Sequence, residues 1–148
     1  MHNCQFCKIV DKSIKSEILY ETESSISFLD HRPVSKGHAL VISKRHFQNI
    51  LDVDEETMCD VMKVAKGISA RINDIYHPAG INLIQNNGEL AGQTVFHFHV
   101  HVIPRYDDDY NRRLGIEAQK RVKVPASNLE MVAEELRGAL TGRLKFRT

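Results

Sequence analysis

No stretch of the chain restricts its fold as much as Val95 to Pro104, which reads Val-Phe-His-Phe-His-Val-His-Val-Ile-Pro. Imidazole and apolar side chains alternate strictly. Successive side chains on a β-strand point to opposite faces, so His97, His99 and His101 share one face, spaced roughly 6.6 Å apart by the strand rise. Phe98, Val100 and Val102 point the other way, into a core. A buried imidazole needs a polar partner, and holding three of them for packing alone is costly. The segment reads as a strand that carries a site on one face and packs with the other.

The remaining pattern gives this strand its neighbours. Ile18-Leu19-Tyr20 and Ile26-Ser27-Phe28-Leu29 are separated by a polar stretch, a hairpin-like arrangement. A strand is expected over 38–43, after a turn centred on residues 33–37. The clearest helix follows, capped by Asp52 or Asp54, with Glu55 and Glu56 in its first turn and Pro78 closing it. Its apolar stripe is Met58, Val61, Met62, Ala65, Ile68, Ile72 and Ile75, wide enough to face both a core and a partner. Cys59, in that setting, is expected to be an inert packed thiol. Residues 81–85 read as a strand, Asn86-Asn87-Gly88 as a turn, and 94–103 as the histidine strand. Asp107-Asp108-Asp109 falls in a loop, and 127–140 reads as a second amphipathic helix capped by Ser127 with Glu130 three residues on. The order lacks regular βαβ alternation, which predicts an α+β fold with an antiparallel sheet and helix on one face. Residues 1–106 form the expected domain core and 107–148 a tail with a helix, part of the same domain.

Composition narrows the class. The chain has 148 residues, the length of one domain, and 20 Lys and Arg against 19 Asp and Glu, a formal net charge of +1. It lacks the electrostatic footprint of a nucleic-acid binder. No apolar run is long enough to span a bilayer. Met1-His2-Asn3-Cys4-Gln5 lacks the charged start and apolar stretch of a secretory signal. Three cysteines, an odd and small number, argue against a secreted disulfide scaffold. The expectation is a cytoplasmic protein with neither a membrane nor a nucleic-acid partner.

Two chemistries suit the histidine row: metal binding, and nucleophilic catalysis in which one imidazole attacks while its neighbours orient it. The approach to the strand, Asn86-Asn87-Gly88-Glu89-Leu90-Ala91-Gly92-Gln93-Thr94, is rich in glycine and neutral hydrogen-bonding side chains. Such a loop suits a phosphate group, so the site is read as built for an anionic substrate. At the other end of the chain, Cys4-Gln5-Phe6-Cys7 has the spacing of half a zinc site, whose remaining ligands must be histidines. A redox role would want the pair after a strand and at a helix N-terminus.

These residues resemble the histidine triad (HIT) family, whose motif is His-φ-His-φ-His-φ-φ with φ apolar. Residues 97–103 match it at every position, the match extends upstream to Asn86, Gln93 and Thr94, and the resemblance covers roughly residues 4–106. It implies a homodimer that hydrolyses or transfers purine nucleotides at the α-phosphate. His99 would attack phosphorus and form a covalent nucleotidyl-histidine that water resolves. His101 would bind the phosphate and hold the geometry of the triad begun by His97. Gln93 and Thr94 would hydrogen-bond phosphate oxygens or the leaving group, with Asn86 in the same pocket. Asp30 falls at the family's ribose carboxylate, Phe6, Ile9, Phe28 and Leu40 at its purine pocket, and His38 at a fourth histidine near the triad. His46 falls at the third ligand of zinc-bearing members, with His97 the fourth, which implies a closed structural Zn²⁺ on Cys4, Cys7, His46 and His97. A histidine at position 101, where sugar-phosphate transferases commonly have glutamine, points to hydrolysis. Phosphoramidates, aminoacyl-adenylates and dinucleoside polyphosphates remain open as substrates. The alternatives are a non-catalytic sensor of AMP-type nucleotides, a nucleotidyl transferase, and a metalloenzyme using the triad as ligands.

Overall fold

A computed structural model describes residues 3–107 and 125–138. Asp108, Asp109 and the expected end of the second helix at Leu140 lie outside them. The first element is one that periodicity did not signal, a six-residue helix α1 (Gln5–Val10) whose N-cap is Cys4, its sulfur accepting from the Cys7 amide. Strands β1 (Ile18–Glu21) and β2 (Ser25–Leu29) make the expected hairpin, and β3 (Ala39–Ser43) follows. The long helix α2 (Glu55–Tyr76) is capped by Asp54, which accepts from the Thr57 amide at 2.8 Å. Asp52 serves the preceding loop instead, accepting from the amides of Gln48 and Asn49. His77 ends α2 in the left-handed conformation, and Pro78 prevents resumption. Strand β4 (Gly80–Ile84), a 3₁₀ turn (Glu89–Ala91), strand β5 (His99–Arg105) and helix α3 (Ala126–Arg137) complete the order. Pro125 takes the N-cap position of α3 with no side-chain bond, two residues before the expected Ser127.

The five strands form one antiparallel sheet in the order β1-β2-β3-β5-β4. Alternation sorts their side chains onto two covered faces. Ala39, Val41, Phe98, Val100 and Val102 pack against Val61, Val64, Ala65, Ile68 and Ile72 of α2 and against Val132, Ala133 and Leu136 of α3. Ile26, Phe28, Leu40 and Ile42 face the other way and pack with Phe6 and Ile9 of α1. The antiparallel α+β architecture is as expected, except that helices cover both faces. Three positions on α2 differ from expectation, the first being Val64, which lies outside the expected stripe and is buried. Met62 is exposed, and Cys59 is exposed too, because the buried stripe runs through Val61, Val64 and Ala65 and turns residue 59 toward solvent. The thiol is therefore not a packed one.

The histidine strand is shorter at its start and longer at its end than the alternation suggested. Residues 94–98 leave the ladder: the Phe98 amide donates to the Phe47 carbonyl at 2.7 Å and the His97 ring to the Ser43 carbonyl. Pro104 does not end the strand, because it lies beyond Val102, the last residue paired with β3, and faces Ile81 of β4. Its missing donor breaks no bond there.

One polar latch fastens α2 to the first hairpin. The Asp60 carboxylate accepts from Thr22, Ser24 and Ser25 hydroxyls at 2.5, 3.0 and 2.6 Å. Burial opposes ionisation of Asp60, but the three donors outweigh it and hold its pKa below the ordinary carboxylate value. Asp60→Asn is expected to destabilise the protein by about 2 kcal/mol at pH 7 in urea titrations. A lowered folded pKa contributes stability above the unfolded value and loses it as pH falls through the folded one. The gap between wild type and variant should therefore close as pH is taken below about 4. A gap that persists there would rule out the carboxylate as its source.

Candidate active site

The site is built around one residue with two roles. The ring of His97 is fully buried and its Nε2 lies 2.6 Å from the Ser43 carbonyl. A carbonyl only accepts, so Nε2 carries the hydrogen and Nδ1 is left with a lone pair. That lone pair faces Cys4 Sγ at 3.4 Å, Cys7 Sγ at 3.5 Å and His46 Nδ1 at 3.2 Å, and Cys7 Sγ is 3.3 Å from His46 Nδ1. All four ligand atoms lie within 4.8 Å of one another. Tetrahedral zinc with bonds of about 2.0–2.3 Å requires ligand edges of about 3.3–3.8 Å, which these separations match closely. Burial keeps His97 neutral, pushing its pKa down to about 4, and with the Cys4 sulfur beside it burial pushes the Cys7 thiol up to about 11. A cation among the four atoms reverses that balance for the thiols. The residues fit a closed N₂S₂ metal centre.

The backbone of His97 serves its neighbour. The His97 carbonyl lies 2.6 Å from His99 Nδ1, so Nδ1 of His99 carries the hydrogen and Nε2 has the lone pair. His99 is buried, which lowers its pKa, opposed by this hydrogen bond and by the charge of Asp30. Its ring is held edge-on against Phe6 at 5.1 Å between centroids and against His101 at 5.1 Å.

His101 is fixed through a relay. The Val34 amide donates to His38 Nδ1 at 3.0 Å, and His38 Nε2 is 2.9 Å from His101 Nδ1. With Nδ1 accepting, neutral His38 carries its hydrogen on Nε2 and donates it to His101, whose own hydrogen must then be on Nε2. Asp30 Oδ2 stands 3.6 Å from the same His38 nitrogen. Asp30, His38 and His101 also lie within 4.8 Å of one another, but His38 has no lone pair to offer at Nε2. The second cluster is a hydrogen-bond relay, whereas the first has the geometry of a ligand set.

A cavity of about 800 Å³ opens over this row. It brings together eight of the residues expected in the site: Phe6, Ile9, Phe28, Leu40, Asp30, Thr94, His99 and His101. Four others stand behind it. His38 backs His101, and His97 backs His99. Asn86 donates to the Gly92 carbonyl at 3.3 Å. Gln93 is buried, its amide donating to Gln48 and Val95 carbonyls and its oxygen accepting from the Gly88 amide. These two amides brace the loop before β5, where Gly88 and Gly92 adopt positive φ of 93° and 90°. Residues that sequence reasoning passed over also line the cavity, among them Gln5, Lys15, Glu17 and, from α3, Leu129. Leu129 could have been suspected from the apolar stripe of α3, but nothing in the sequence points that stripe at the site.

The sheet and the histidine-bearing strand are those of one family: the HIT domain matches residues 11–108, and the chain belongs to the HIT family. It is 45% identical over 104 residues to "Protein hit" of Bacillus subtilis, covering 70% of this chain and 72% of that one. It is 40% identical over 113 residues to the adenosine 5′-monophosphoramidase hnt1 of Schizosaccharomyces pombe, covering 76% of this chain and 82% of that one. Its fold superimposes on a Zn-bound histidine triad family protein from Mycobacterium smegmatis with a TM-score of 0.80 at 34% identity, covering 95% of this chain and 94% of that one.

Proposed function

We propose that the protein is a nucleotide hydrolase acting at the α-phosphate of a purine nucleotide through a covalent nucleotidyl-histidine on His99. The observation that carries this reading is the 2.6 Å bond from His99 Nδ1 to the His97 carbonyl, which leaves Nε2 as a lone pair beside the cavity. Neutral imidazole so oriented is a nucleophile that needs no separate base. The Nε2–P bond forms as the bond from phosphorus to the leaving group breaks. Water then attacks the phosphorus and returns the electron pair to Nε2. His101 presents Nε2–H as a donor to a phosphate oxygen, and Thr94 adds a hydroxyl from the cavity wall; both stabilise charge that grows in the transition state. Asp30 takes the ribose hydroxyls, and Phe6, Ile9, Phe28 and Leu40 take the base. Gln93 and Asn86 act in this reading by holding the loop that carries Thr94.

Zinc is assigned to Cys4, Cys7, His46 and His97. Bound there, it would serve as a structural tie between α1 and the residue that orients the nucleophile. The reading includes a homodimer, supported by β4, a sheet-edge strand on which Leu83 is 44% exposed. It also includes a cytoplasmic setting, supported by three unpaired cysteines. Among the described residues no helix is long and apolar enough to cross a membrane.

The name of the fission-yeast relative favours a phosphoramidate as substrate. The test is hydrolysis of adenosine 5′-phosphoramidate and of diadenosine polyphosphates side by side. The phosphoramidate is expected to turn over faster, with AMP as product. Binding of AMP without turnover of either compound would replace the hydrolase with a sensor.

A further inference from the structure

Helix α3 carries a single apolar stripe, Leu129, Val132, Ala133 and Leu136, at three- and four-residue steps. Val132, Ala133 and Leu136 are buried in the core, while Leu129, one turn nearer the N-terminus, is only partly buried at its edge. The far end of the helix is fixed. Arg71 donates to the carbonyls of Leu136 and Glu135 at 3.1 and 2.8 Å, the Tyr76 hydroxyl donates to Glu135 Oε2 at 2.7 Å, and Arg137 donates to the Ile18 carbonyl at 2.8 Å. Leu129 is thus presented from a clamped helix.

Two cavities meet at this side chain. Leu29, Asp30 and Leu129 line the 800 Å³ cavity that holds His99, and the same three line a second cavity of about 370 Å³ whose further walls include Pro33, Met131 and Val132. These three residues form the partition between the two spaces. Leu29 is 3% exposed and belongs to the sheet core. Asp30 is the carboxylate assigned to the ribose. Leu129 is the part of the partition that only α3 supplies.

We infer that Leu129 is a specificity-determining residue: it closes the nucleotide cavity beside the ribose and restricts the site to nucleotides whose 2′ and 3′ hydroxyls carry no bulky group. This rests on the nucleotide reading above. Polar side chains, among them Asp30, Ser35 and Asn128, share the walls of the space behind Leu129, but the surface they leave open there is mainly apolar, so the group that trimming Leu129 would admit is a compact aromatic or hydrocarbon one rather than a phosphate. Lys36, at its rim, already holds its ammonium 4.5 Å from the centre of the Tyr76 ring.

The test compares AMP with its fluorescent 2′/3′-O-(N-methylanthraniloyl) ester by equilibrium binding, and the corresponding phosphoramidates by kcat/KM, in wild type, Leu129→Ala and Leu129→Met. Wild type is expected to prefer the unmodified nucleotide by about tenfold or more. Leu129→Ala should reduce that preference to less than about threefold, and Leu129→Met, which restores the volume, should recover it. Leu129→Val provides a smaller trim with an intermediate ratio in case the alanine variant folds poorly, as judged by its melting curve. A preference unchanged in the trimmed variants, with both nucleotides still binding, would overturn the inference. Failure of wild type to bind either nucleotide would instead overturn the nucleotide reading and the inference with it.

Discussion

His99→Ala is expected to lower kcat for adenosine 5′-phosphoramidate by about 10⁴-fold or more, with the dissociation constant for AMP changed by less than about threefold. The asymmetry follows from where the ring stands. Its Nδ1–H is spent on the His97 carbonyl, so only Nε2 faces the cavity, and the groups assigned to base and ribose are other residues. Removing the ring deletes the atom that bonds to phosphorus while leaving most of the binding surface in place. Acid quenching of wild type during turnover should trap a nucleotidyl adduct on the peptide that contains His99, and the variant should give none. Turnover within tenfold of wild type, or an adduct mapped to another residue, would remove His99 from its role.

Protein purified without a histidine tag is expected to carry about one zinc per chain by elemental analysis, and fewer than about 0.2 equivalents would refute the assignment. Cys7→Ala should lose the metal and lower the melting temperature by about 10 °C or more, since an ion that binds only the folded chain stabilises it by mass action. It should also lower kcat by about 10–100-fold, the usual cost of disturbing a group one step from the reacting atom. The path is short: without the ion the His97 ring keeps its bond to the Ser43 carbonyl but loses the tether at Nδ1, and the His97 carbonyl holds the hydrogen on His99 Nδ1 less firmly. Cys59→Ala, on the exposed side of α2, should retain both metal and melting temperature. If it lost zinc as Cys7→Ala does, the ligand set would have to be redrawn.

Period carried most of what could be read before the fold was known. The two-residue alternation in the histidine strand put His99 and His101 on the face opposite Val100 and Val102, and the three- and four-residue steps in α2 found the helix and most of its buried stripe. Where the period was short or absent, the reading thinned. Helix α1 has only six residues, too few to show a stripe, although Phe6 and Ile9 at a three-residue step are its buried side. The expected strand begins at Thr94, yet residues 94–98 leave the ladder because Phe98 and His97 find their acceptors in Phe47 and Ser43, more than forty residues back. The HIT resemblance implies a phosphate or leaving-group contact for Gln93, and the structure adds that its amide is also engaged in the protein. Two of its bonds are to Gly88 and Val95 close by, but the third, to the Gln48 carbonyl 45 residues back, is a tertiary fact with no local trace. The same is true of Leu129, whose helix is legible but whose destination is not.

The contact between Cys4 and His97 closes a span of 93 residues. The two sides of α1 thereby answer to different ranges of the chain. Phe6 and Ile9 pack on Ile26, Phe28, Leu40 and Ile42 of β2 and β3, whereas the sulfurs meet their histidine only across the whole span, a closure with the larger loop entropy. One short helix thus belongs to a nearby wall of the chamber and, at the same time, to a cross-chain clasp.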